Sequence, residues 1–242
     1  MLFLVHVDGA GNLWVGTWGG GLDRFDPQTE TFIHYKRSST DPYGISTNNI
    51  FLMVEDQAGI IWIATEDGGV NTLDLGGKPF RHYRAIPEIP TSPSANGIRS
   101  LAEGQAGVVW MGSTSGGLNR FDPQTEEFTH YLYDPEDPNS LSSDSATAVH
   151  EDREGTLWVG GWGAGLNRLD QDTGAFTHYK YDPDDPHSLS HDSITAIHDD
   201  QSGTIWIGTW GGGVNSFDRD TEQFTRLGCK NFTCFDSLKD EG

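Results

Sequence analysis

The chain carries nine histidines and 36 acidic side chains, and much of its capacity for chemistry is repeated. His34, His82, His130 and His178 are each followed by Tyr and recur every 48 residues. Such repetition in an outermost strand reads as scaffold, with polar side chains blunting a sheet edge. His6, His150 and His198 share a second register. Three imidazoles near an axis could hold a metal, but Val54 and Ala102 stand at the same register, so apolar packing is tolerated there. Glu66 and Asp67 break the repeat and could supply the carboxylate pair of a glycosidase, although adjacent carboxylates in a turn are more often solvated. No nucleophile elbow, phosphate-binding loop, zincin or kinase motif is present. The residues therefore read as non-catalytic. Asp134, Glu136, Asp137 and Asp144, and again Asp182, Asp184, Asp185 and Asp192, offer oxygen ligands. Of these, Asp134, Asp137, Asp182 and Asp185 are the calcium candidates. The alternative is that Asp-Pro pairs set turns, while Asp144 and Asp192, with Asn48 and Asn96 equivalent, hydrogen-bond the backbone before the next strand. No other cofactor is expected.

The elements that position these residues come from one repeat. Trp14, Trp62, Trp110, Trp158 and Trp206 recur every 48 residues with no insertion, so one unit is copied five times. Each copy, such as LWVGTWGGGLDRFDPQTETFIHY from Leu13, holds three short apolar runs, and a fourth precedes it, such as Ile194 to His198. Asp200-Gln201-Ser202-Gly203 and its equivalents mark tight turns, because Asp caps the backbone and Gly accepts positive φ. The run around each Trp is apolar on both faces, so each small sheet is covered on both sides. The expectation is an all-β fold: a β-propeller of five four-stranded antiparallel blades. A β-solenoid is the rival, but tight Asp-x-x-Gly turns demand hairpins. The small residue two after each Trp (Gly16, Ala64, Gly112, Gly160, Gly208) would leave room for a large side chain of the next blade. The blades are expected at about 1–46, 47–94, 95–142, 143–190 and 191–228, with a tail at 229–242. Five blades could close as a ring or form an arc of a larger propeller.

The formal net charge of −21 argues against nucleic acid and against anionic membrane surfaces. No stretch is apolar enough to span a membrane, and the first residues lack the basic and apolar regions of a signal peptide. Cys229 and Cys234 lie in the tail as a local disulfide or two free thiols, and Asn231-Phe232-Thr233 is a weak glycosylation match.

In an up-and-down blade the second turn and the blade-to-blade link share one rim. The Trp-Gly-Gly turns and the acidic links are therefore expected on one face. Trp18, Trp162 and Trp210 occupy equivalent turn positions, where the second and third copies carry Glu66 and Thr114. In a closed ring the three tryptophans would form one aromatic cluster. With Glu66 and Asp67 they are the expected ligand-binding residues, the rings taking the apolar face of a pyranose and carboxylates its hydroxyls.

The pattern I-x-x-I-H-E-D-x-x-G-x-L-W-V-G-T-x-G-G-G-L-N-R-F-D, preceded by D-P-x-D-P-x-S-L-S-x-D, stands most fully at Tyr181–Asp218 and Tyr133–Leu169. It resembles the two-component regulator propeller repeat. The resemblance covers essentially the whole chain and implies the extracytoplasmic sensor region of a bacterial hybrid regulator, many of which respond to glycan fragments. It implies a periplasmic or extracellular location, a small-molecule or oligosaccharide ligand, and a longer parent with more blades, a membrane span and a kinase. The second copy departs from the pattern, reading Ala85-Ile86-Pro87-Glu88-Ile89-Pro90 in its link. The expectation is a non-catalytic ligand sensor, with a polysaccharide lyase or glycosidase and a protein-interaction scaffold as alternatives.

Overall fold

The computed structural model describes residues 1–74, 80–200 and 202–227. The cysteines and the Asn231 motif lie outside them. Twenty strands form five four-stranded sheets, and among the described residues there is no α-helix and thus none long and apolar enough to cross a membrane. The chain divides into two compact units.

The first unit, Met1–Leu132, holds three blades. Blade one is β1 (Leu2–Val7), β2 (Leu13–Thr17), β3 (Leu22–Asp26) and β4 (Thr31–Tyr35). Blade two is β5 (Ile50–Glu55), β6 (Ile60–Thr65), β7 (Val70–Asp74) and β8 (Arg81–Tyr83), and blade three is β9 (Ile98–Glu103), β10 (Val109–Ser113), β11 (Leu118–Asp122) and β12 (Glu127–Tyr131). The second unit begins at Tyr133 and holds two blades. Blade four is β13 (Ala148–Glu151), β14 (Leu157–Gly161), β15 (Gly165–Leu169) and β16 (Phe176–Tyr179). Blade five is β17 (Ile194–Asp199), β18 (Ile205–Thr209), β19 (Gly213–Asp218) and β20 (Gln223–Leu227). Every sheet is an antiparallel meander in chain order, and the repeated Trp holds one register, opposite His6 in blade one, Val54 in two, Ala102 in three, His150 in four and His198 in five.

The first turn of each blade does more than reverse the chain. Asp8 Oδ1 accepts the N–H groups of Ala10 and Asn12, while its Oδ2 accepts the indole N–H of Trp14 at 2.8 Å. Asp56, Asp152 and Asp200 accept from Trp62, Trp158 and Trp206 at 2.7, 2.7 and 2.8 Å. A buried indole N–H needs such a partner. Burial pushes the Asp8 carboxyl up, but the bonds from Trp14 and Asn12 outweigh it and hold the group below the usual carboxylate range. Blade three has Gly104 in this place and turns through a short 3-10 segment at Gln105–Gly107, with Ala106 at φ 57°.

The cores lie between neighbouring blades. In the first unit Trp14, Leu22, Ile50, Ile61, Ile63 and Leu73 make one cluster, and Trp62, Val70, Ile98, Met111 and Phe121 make the next. In the second unit Trp158, Leu166, Ile194, Ile205, Ile207 and Phe217 make the third. Trp14, Trp62 and Trp158 thus leave their own sheets to pack on the following one: Trp62 meets Phe121 edge-on at 5.1 Å, and Trp158 meets Phe217 edge-on at 5.2 Å. An indole buried this way removes about 200 Å² from water, a gross gain on the order of 5 kcal/mol. Burial within the third cluster pushes the Tyr179 hydroxyl up to about 12, against the pull of Arg168. Gly16 and Gly160, two after their Trp, make room as expected: a Cβ on Gly16 would sit 2.9 Å from Ile50, and one on Gly160 2.5 Å from Ile194.

Candidate functional site

The site candidates sit on the rim where the second turns meet the links. The turn backbone is held the same way in four blades. The N–H groups of Trp18, Glu66, Thr114 and Trp210 bond to the carbonyls of Met1, Asn49, Gly97 and Ser193, each from the residues leading into the innermost strand of the same blade. Glycines of the turn reach the link of the following blade, Gly21 and Gly165 donating to the carbonyls of Asn48 and Asp192. Gly21 and Gly165 have φ of 88° and 73°, and a Cβ there would press within 2.4 Å of the carbonyl of Tyr35 or Tyr179. Only glycine fits. The residue at the Trp18 position differs from blade to blade: Trp18, Glu66, Thr114, Trp162 and Trp210.

In the second unit the structure brings Trp162 and Trp210 together. Their rings meet edge-on with centroids 5.4 Å apart, and the residues are 46% and 64% exposed. In the first unit Trp18 lies 5.6 Å from Phe51. Glu66 is half-buried and its Oε2 accepts from Asn49 Nδ2 at 2.8 Å, while Asn49 Oδ1 accepts from the N–H of Gly19. Glu66 thus ties the turns of blades one and two and is not a free carboxylate. Asp67 is exposed.

Residues that sequence reasoning missed lie beside them. The innermost strands β5, β9 and β17 each open with a register shift that inserts one residue, Phe51, Arg99 and Thr195 respectively. A bulge re-aims the inserted side chain. The Arg99 guanidinium lies 4.3 Å over the Phe51 ring, and it has no carboxylate partner among the described residues. The signal was present in the repeat. The column reads Phe51, Arg99, Thr147 and Thr195, beside an Ile at positions 50, 98 and 194. A column that varies inside a constant frame is one the frame does not need.

The acidic links correct an expectation. They do not join the Trp turns as a whole. The first half of each link runs along the outermost strand of the next blade: the N–H groups of Phe128, Phe176 and Phe224 donate to the carbonyls of Thr91, Asn139 and His187. The repeated histidines serve the same seam, His82, His130 and His178 bonding the carbonyls of Gly44, Ser92 and Ser140. The physical reason is that an open strand edge needs partners, and the link supplies them. Only the second half reaches the turn. There Asn48, Asn96, Asp144 and Asp192 accept the N–H groups of Arg37, Ala85, Tyr133 and Tyr181.

The calcium candidates each cap a turn through one oxygen. Oδ1 of Asp134, Asp137, Asp182 and Asp185 accepts the N–H two residues on, from Glu136, Asn139, Asp184 and His187. In blade five Arg226 stands where the other outer strands carry His, and donates to the carbonyls of Asp182 (3.1 Å), Asp185 (2.8 Å) and Ser188 (3.0 Å).

A fold of such blades is a β-propeller, and solved structures agree. The extracellular domain assigned to the hybrid two component system BT3049 of B. thetaiotaomicron superposes with a TM-score of 0.80 and 27% identity over 93% of this chain. This chain spans 29% of that one. Virginiamycin B lyase of Staphylococcus aureus gives 0.68 at 14% identity, covering 95% of this chain and 70% of that one. PorZ, a surface component of the type-IX secretion system of Porphyromonas gingivalis, gives 0.70 at 15% over 96% of this chain and 34% of its own. At those identities the lyase and PorZ speak for the fold alone. No curated protein matches the sequence. Residues 44–67, 140–163 and 188–211 match the two component regulator propeller family.

Proposed function

We propose that this chain is a non-catalytic, ligand-sensing part of an extracytoplasmic two-component sensor, and that it takes an oligosaccharide fragment on the rim of Trp-Gly-Gly turns. The observation that carries the reading is the Trp162–Trp210 pair, two half-exposed rings 5.4 Å apart by centroid. Exposed apolar surface on this scale marks interaction sites. Exposed indole faces suit the C–H face of a sugar, and in the first unit Arg99, Phe51 and Trp18 offer the same chemistry by themselves. The likeness to the BT3049 domain and the regulator-propeller segments support the sensory setting. Since the chain spans 29% of the BT3049 chain, further blades, a membrane span and a kinase belong to the proposed parent.

The test is titration of the purified chain with a panel of oligosaccharides, followed by tryptophan fluorescence and calorimetry. Trp162→Ala and Trp210→Ala are each expected to weaken binding by roughly 1–3 kcal/mol, the scale of ring stacking on an aromatic side chain, with melting temperatures near the parent's. Variants that bind like the parent would refute the site. Turnover of the panel would replace sensing with catalysis, and capture of a protein in place of any glycan would favour a scaffold.

A further inference from the structure

The opposite rim of the second unit holds a different cluster. His150 at the end of β13, with His198 and Asp199 at the end of β17, present one donor atom each within 4.8 Å of one another. The two rings lie 5.9 Å apart by centroid. His150 Nε2 is 2.8 Å from Asp199 Oδ1 and 3.2 Å from the Asp199 backbone N–H. The Asp199 side chain is 8% exposed, and its Oδ2 makes no hydrogen bond among the described residues. The nearest cation is Arg153 Nε at 3.4 Å, on a side chain 60% exposed that can swing away. His198 is exposed and offers an open ligand.

We propose that His150, His198 and Asp199 bind one divalent transition-metal ion of the zinc class, joining blades four and five. Two imidazoles and a carboxylate, with water in the fourth position, satisfy tetrahedral zinc. Bonds of about 2.0–2.1 Å set ligand atoms roughly 3.4 Å apart, so the exposed His198 ring moves inward on binding.

The experiment uses the full chain with Cys229→Ser and Cys234→Ser, so that thiols do not compete. After chelator treatment it is titrated with zinc chloride at neutral pH by calorimetry, and its melting temperature is followed in parallel. One ion per chain and a rise in melting temperature are expected. His198→Ala, which removes an exposed ring and leaves the fold intact, is expected to weaken zinc binding at least about tenfold and abolish the thermal shift. His187→Ala, an exposed histidine elsewhere, is expected to bind like the parent. Failure of the parent to bind zinc, or equal affinity in His198→Ala and parent, would overturn the site.

Discussion

The two rims of each blade obey different rules. On the rim of first turns the turn-forming aspartates are consumed by the scaffold. Asp8, Asp56, Asp152 and Asp200 each fold their own turn and hold the indole of their own blade. On the rim of second turns the backbone is fixed and the side chains are not. Trp18, Glu66, Thr114 and Trp210 share one backbone hydrogen bond and nothing else. A repeat protein is its own comparison set. Positions that stay constant across copies build the blade, and positions that vary on a constant backbone are where one copy can be made to differ from another. That contrast places the candidate ligand surface on the Trp rim.

The largest expected effect breaks the constant rim. Asp152 is fully enclosed and accepts from Trp158 Nε1, from the N–H groups of Glu154 and Thr156, and from Arg219 at 2.7 Å. Asp152→Ala strands all of these donors, one of them a guanidinium. A loss of about 3–5 kcal/mol follows, the range for breaking a buried pair. Urea unfolding measures it, and a loss below about 1 kcal/mol would show that the Asp–Trp bond is dispensable.

A smaller effect compares two blades at one column. In blade four a Cβ on Gly160 would overlap Ile194, itself locked in the core at 1% exposure. In blade five a Cβ on Gly208 meets nothing closer than Thr195 Oγ1 at 3.4 Å. Gly160→Ala is expected to cost about 1–3 kcal/mol as overpacking. Gly208→Ala is expected to stabilise by about 0.4–1 kcal/mol, because it restricts the unfolded chain without strain. Thermal melts of the two variants should move in opposite directions. Equal shifts would mean that the column reports strand propensity and not the neighbour's side chain.

Much of this was legible in the chain before folding, for a physical reason. A fixed period forces every copy into one structure, so the Trp register, the meander and the role of the small residue all follow from it. The edge histidines were legible as scaffold on the same ground. The indole partner was half legible: the Asp was visible as a turn former, but its bond to a Trp six residues on depends on how the turn curls. The course of the links was not legible. Sequence says on which rim a loop begins and ends, not that its first half will pair with the next outer strand. The bulge residues Phe51 and Arg99 were also hidden, since an apolar run reads as a regular strand whether or not a residue is inserted. Asp199 was hidden for a related reason. Consecutive residues of a strand face opposite ways, so His198 and Asp199 would not be grouped until the end of β17 brings both towards His150.

The smallest expected effect tests the variable rim directly. Thr114 is exposed, and its backbone N–H makes the same bond to Gly97 that Trp210 makes to Ser193. If the side chain here is independent of the scaffold, Thr114→Trp gives blade three the turn of blades one and five at no structural cost. The change in stability is expected to stay within about 0.5 kcal/mol, as for surface positions free of packing, capping or strain. The added ring should still alter the ligand surface. On the sensing proposal, Thr114→Trp changes affinity or preference across the oligosaccharide panel while the melting temperature holds. A marked loss of stability would show that the rim is constrained after all, and the variation among the five copies would then reflect packing unique to each blade.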